Sequence, residues 1–123
     1  MDKGEFEQYK MLVGNWRDKY CPEISIIYSK RMCASHGRAF KKKKEIRLSL
    51  MALAQGTIIE SERTMLHEIA HILTPEHYHD DVWLEKYEEL CMNEGVPIGQ
   101  QNPIYATFSL RRDIGYTNLL RER

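Results

Sequence analysis

No apolar run in this sequence is long enough to cross a membrane. The longest uninterrupted stretches span a few residues, as in Met51-Ala52-Leu53-Ala54, whereas a spanning helix needs about 20. The first residues, Met-Asp-Lys-Gly-Glu-Phe-Glu, are charged and lack the apolar segment of a secretory leader. Cysteine is also sparse. Cys21, Cys33 and Cys91 cannot all pair, and none lies in a C-x-x-C, which excludes a disulfide framework and a four-cysteine zinc ribbon. The expectation is an intracellular protein with three reduced thiols and no membrane contact. What remains is ordinary globular material: 123 residues, 42% hydrophobic and 29% charged. That is one domain, here taken as 1–123, and not a disordered chain.

Net charge is also lacking, but the zero conceals two poles. Between Lys30 and Arg47 stand eight basic residues against one acid, Glu45, a net charge of +7. Between Glu60 and Glu94 stand ten acids against Arg63 and Lys86, a net charge of −8. Such asymmetry points to a face that meets something anionic, with a solvated surface as the competing reading.

Periodicity predicts an α+β domain. Phe6, Tyr9, Leu12, Val13, Trp16 and Tyr20 form one helical stripe over 5–20, interrupted only by Gly14 and ended by Cys21-Pro22. Ile24–Tyr28 is β-branched and aromatic, Met32–Phe40 suggests a second strand, and Ile46, Leu48 and Leu50 alternate with Arg47 and Ser49 as a third. These strands predict a small antiparallel or mixed sheet. A helix opens at Gly56-Thr57 and runs to about Leu73, with Ile58, Glu62, Met65, Ile69 and Ile72 along one side. Thr74-Pro75 ends it, because proline cannot continue the helical ladder. Asp80 caps a further helix from Asp81 to about Asn93, with Val82, Trp83, Tyr87, Leu90 and Cys91 as its buried side and Gly95 as its stop. After a loop marked by Pro97, Gly99 and Pro103, Ile104–Leu110 alternates like a last strand.

His67-Glu68-Ile69-Ala70-His71 is H-E-x-x-H inside the first of these two helices. Residues four apart share a helix face with Cβ atoms about 5–6 Å apart. That lets two imidazoles reach one Zn²⁺ at about 2.0–2.1 Å. Glu68, one residue round the helix, stands beside the metal, where a carboxylate can take a proton from an attacking water and deliver it to a leaving amine. In a chain of this composition the motif arises by chance about 2% of the time, so its neighbourhood matters. His77 and His79 follow within eight residues of His71. His77 has the metzincin spacing, but that motif requires glycine where this chain has Thr74, and Met92 falls inside a helix rather than a Met-turn. His79, at the start of the following helix, is the favoured third ligand. Glu85 or Glu88 on that helix is the gluzincin alternative.

Thr64-Met-Leu-His-Glu-Ile-Ala-His71, then Thr74-Pro75, then His79-Asp-Asp-Val-Trp83 resembles the SprT-like metalloprotease family. The family signature is a T-L-L-H-E-x-x-H helix, a short loop and H-G-x-x-[FW]. Ile46-Arg-Leu-Ser49, after a glycine and a basic stretch, resembles the strand that leads to the active helix. The similarity covers roughly residues 20–92. It implies a zincin (minigluzincin-like) fold with a three- to four-stranded sheet. It also implies zinc ligands at His67, His71 and His79, a catalytic base at Glu68, and one zinc ion per chain. Two departures stand out: Asp80 replaces the usual glycine, and the common C-terminal zinc ribbon is absent, so the resemblance is to a compact form. The Spartan branch of the family implies proteolysis of DNA-bound or DNA-crosslinked proteins.

The basic segment fits that role. Arg38, Lys41, Lys42, Lys43, Lys44 and Arg47 could contact phosphates through salt-sensitive attraction. The competing reading is a charged hairpin tip that protects a sheet edge. Tyr28, Phe40 and Tyr105 are read as core packing rather than as base-stacking platforms. Tyr78 and Tyr105 are the candidates for an oxyanion-stabilising side chain. Against the protease stands a vestigial alternative, a zinc-stabilised module that binds nucleic acid or protein. Glu68 favours the enzyme, since a purely structural site has no use for it.

Overall fold

The computed structural model describes residues 1–75 and 79–98. In chain order the elements are α1 (Lys3–Tyr20), β1 (Ser25–Ser29), β2 (Gly37–Phe40), β3 (Glu45–Ser49), α2 (Leu50–Gln55), α3 (Ile58–Leu73) and α4 (Asp81–Glu94). The architecture is α+β, as composition and periodicity predict. Among the described residues no helix is long and apolar enough to cross a membrane.

Local chemistry places most boundaries. Asp2 and Glu5 form a capping box at the start of α1, and Thr57 and Glu60 form another at the start of α3. Such caps satisfy orphan N–H groups and contribute about 1 kcal/mol each. Gly14 lies within α1, where the cap and the buried stripe of Tyr9, Val13 and Trp16 outweigh its helix cost. Gly95 ends α4 in the left-handed region at φ 68°, a conformation that glycine adopts without penalty.

The sheet has three strands in the order β1-β3-β2. β1 runs parallel to β3, and β2 runs antiparallel to it. Ile46 and Leu48 of β3 are fully buried in the core, with Ile26, Tyr28 and Ala39 packed against it, and β3 meets α3. The core continues through Met65, Leu66, Ile69 and Ala70 of α3 to Trp83, Tyr87 and Leu90 of α4.

Three sequence expectations change, and one falls outside the described residues. The second strand begins at Gly37, not Met32. The Ser29 hydroxyl accepts from the Arg31 and Met32 N–H groups and turns the chain out of the sheet. Leu50 does not extend the third strand, because Ser49 accepts from Ala52 and caps the short helix α2. Val82 is 55% exposed rather than buried, while its neighbour Trp83 is fully buried. The predicted strand 104–110 and the loop residues Gly99 and Pro103 lie outside the described residues. Cys21 and Cys91 are buried thiols and Cys33 an exposed one. Burial pushes the Cys21 thiol up to about 11, which makes it a poor nucleophile.

Candidate metal centre

α3 carries His67, Glu68 and His71 on its buried side, and these residues retain 9%, 6% and 7% exposure. The helix stops at Thr74, whose hydroxyl donates to the Ala70 carbonyl at 2.8 Å. α4 starts at Asp80, whose carboxylate accepts from the Trp83 N–H at 2.9 Å. His79 precedes that cap and is thus held at a helix entrance. Asp80 adopts φ −86° and ψ −176°, extended backbone open to any residue. Aspartate therefore replaces the family's glycine without strain and adds a cap that glycine lacks.

The three imidazoles converge. His79 Nε2 lies 2.9 Å from His67 Nε2 and 3.2 Å from His71 Nε2. Among the described residues these three form the group able to hold a metal ion, with ligand atoms all within 4.8 Å. Two nitrogens bound tetrahedrally to one zinc would stand about 3.3–3.4 Å apart, given metal–nitrogen distances of about 2.0–2.1 Å. The observed separations lie close to that value. A single proton on His79 Nε2 can serve one neighbouring nitrogen, whereas one cation accepts all three lone pairs. The donor set therefore fits a metal. Glu68 Oε2 sits 3.8 Å from His67 Nε2, beside the trio and not within it. Its charge reaches Tyr9, whose phenol is pushed well above its usual value by burial, then by Tyr28, Glu62 and Glu68. The Tyr9 hydroxyl donates to the Ser61 carbonyl of α3 at 2.8 Å.

Trp83 is the contact that sequence reasoning missed. The sequence marks it as a core residue, and it is one, but its indole also touches all three histidines. Its ring centroid lies 4.6 Å from His67, 5.3 Å from His71 and 4.7 Å from His79. Its Nε1–H donates to the His67 carbonyl at 3.2 Å. The available signal was its place four residues after His79, in the first turn of α4.

Glu85 and Glu88 do not approach the histidines. They line a groove on the outer side of α4 with Asp81, Leu84 and Met92, because Trp83 and Tyr87 occupy the inner side. His77, Tyr78 and Tyr105 lie outside the described residues. The basic residues sit on the β2–β3 hairpin. Arg38, Lys43 and Arg47 surround the Phe40 ring at 5.0–5.5 Å, and Arg47 also pairs with Glu45 at 2.6 Å. Lys41 turns away from this group and donates to the Thr74 carbonyl at the end of α3.

A family model described as the SprT-like family matches residues 6–102. No curated protein and no solved structure matches the chain. The match takes in most of α1, the sheet, the helix that carries H-E-x-x-H, the histidine trio and α4. The chain belongs to the SprT-like family.

Proposed function

We propose that this chain is a zinc-dependent endopeptidase of the zincin type, a single catalytic domain over residues 1–123. One observation carries the reading. Three imidazole nitrogens converge within a few ångström, and a buried carboxylate stands 3.8 Å from one of them. Three neutral nitrogen donors suit zinc, whereas calcium and magnesium take oxygen ligands. His67, His71 and His79 would hold the ion.

When bound, zinc supplies Lewis acidity toward a peptide carbonyl and makes water acidic enough to attack near neutral pH. Glu68 moves the proton. Its Oε2 accepts a proton from the attacking water as the oxygen bonds to the carbonyl carbon. The carbon–nitrogen bond then breaks, and the same proton passes to the leaving amine. The peptide would lie as an added strand along the outer edge of β2, which pairs only with β3 among the described residues. Gly37 brings that strand against Thr64, one turn before His67. The substrates we propose are proteins bound or crosslinked to DNA. The net charge of +7 between Lys30 and Arg47 supports this.

The test pairs metal content with cleavage of an unstructured protein, DNA supplied. The unsubstituted chain and His77→Ala should carry one zinc, and His79→Ala should lose it. Glu68→Gln should keep zinc and lose about 10²- to 10⁴-fold of hydrolysis, the usual worth of a general base. Undiminished cleavage by Glu68→Gln would overturn Glu68 as the base, and no cleavage by the zinc-loaded unsubstituted chain would leave a zinc-stabilised binding module in place of an enzyme.

A further inference from the structure

Trp83 is fully buried, yet its place is more specific than core filling requires. Its indole N–H donates to the His67 carbonyl, the acceptor that a regular helix offers to the His71 N–H four residues on. One peptide oxygen thus links Trp83 to the turn that carries both helix histidines. Its backbone N–H is held by Asp80, the residue after His79. Trp83 is therefore fastened to α3 by its side chain and to the His79 segment by its main chain. Its ring stacks on His71 at 28° between planes, and presents edge contacts to His67 at 63° and to His79 at 90°. Behind it Tyr87 lies nearly parallel, at 13° and 5.2 Å.

An imidazole lone pair lies in the plane of its ring. Ring orientation therefore decides whether three nitrogens point at one spot, and a ring free to rotate loses rotamer entropy on binding. Groups that orient ligands from behind typically contribute 10- to 100-fold to metal affinity. We propose that Trp83 is the positioning residue of this centre, fixing the planes of His67, His71 and His79 together and so setting how tightly the metal is held. The inference rests on the proposed metal site and not on hydrolysis. Phenylalanine would keep a flat ring without the N–H, and leucine would keep bulk without either.

The experiment measures Co²⁺ affinity and the cobalt absorption spectrum of the full chain, beside the melting temperature of the metal-free protein. Trp83→Phe should bind Co²⁺ about 10-fold more weakly and Trp83→Leu up to about 100-fold more weakly, with altered cobalt spectra. In a Trp16→Phe background, Trp83 is the one remaining tryptophan, and Co²⁺ should quench its emission. If both variants melt earlier but bind Co²⁺ within about threefold of the unsubstituted chain, with its spectrum, Trp83 only fills space and the positioning role is overturned. If Trp83→Leu does not fold, Trp83→Phe alone decides. Failure of the unsubstituted chain to bind Co²⁺ or zinc would overturn the centre itself.

Discussion

Lys41 and its three neighbours look alike in sequence and act differently in space. Its ammonium reaches the carbonyl of Thr74, 33 positions further along the chain, where a cation meets the negative end of the α3 dipole. Such placement is worth about 0.3–1 kcal/mol. Lys42, Lys43 and Lys44 are exposed and remain able to meet phosphates. Lys44 also holds φ 53°, a left-handed conformation that asparagine tolerates and branched residues do not. Two variants separate these roles. Lys42→Ser, Lys43→Ser and Lys44→Asn together should flatten the slope of log DNA affinity against log salt by about two to three units, at about 0.7–0.9 per phosphate contact, with little change in melting temperature. Lys41→Met should lower the melting temperature and leave most of the slope. Anisotropy titrations over a salt series read the first effect, and thermal melts read the second. An unchanged slope in the triple variant would assign the lysines to a solvated hairpin.

At the level of elements, what was legible in the sequence is what local chemistry controls. The capping residues Thr57 and Asp80 and the stops at Thr74-Pro75 and Gly95 locate α3 and α4, because a cap is a bond between near neighbours. His67, Glu68 and His71 follow from helical spacing alone, and His79 follows from its place before the Asp80 cap. The β2 start was hidden, since the Ser29 hydroxyl turn that delays it leaves no periodic trace. α2 was hidden because the alternation of Ile46 and Leu48 runs on into Leu50. The parallel pairing of β1 with β3 and the contacts of Trp83 join distant segments, which no local pattern encodes. Gly37 illustrates the difference. Its φ is not unusual, yet a Cβ there would meet Thr64 Cγ2 at 3.0 Å, Leu48 Cδ2 at 3.2 Å and the Arg47 carbonyl at 3.3 Å. Gly37→Ala should therefore cost about 1–3 kcal/mol by overpacking the contact between β2 and α3. Thr64→Ser deletes the nearest methyl and keeps the hydroxyl that donates to the Glu60 carbonyl. In a double-mutant cycle, read by urea denaturation, it should recover part of that loss. Strict additivity would mean that the two residues do not press on each other.

For the molecule as a whole, the end of α4 is tied back to α1. Glu94 accepts from Trp16 Nε1 and Lys19 Nζ, each at 2.8 Å, and from the Tyr20 hydroxyl. Burial works against its charge, but the three donors prevail and hold its carboxyl below the usual carboxylate range. A carboxylate depressed in the folded state contributes stability above its unfolded value, and that stability is lost as pH falls through the folded one. Glu94→Gln should therefore be less stable by about 1–2 kcal/mol at neutral pH, and its urea midpoint should fall less steeply toward acid. A gap between the two proteins that stays constant down to strongly acidic pH would count against the tie. The strand order has a consequence of another kind. β2 and β3 are joined by the four-residue turn Lys41–Lys44, so their ladder closes locally, on the microsecond scale of hairpins. β1 precedes both in the chain yet seats parallel on the far side of β3. Its pairing spans some 20 residues and carries a larger loop-closure entropy. The kinetic cost of assembling this sheet accordingly falls on β1, while β2 and β3, the pair that flanks the histidine helix, can form without waiting for it.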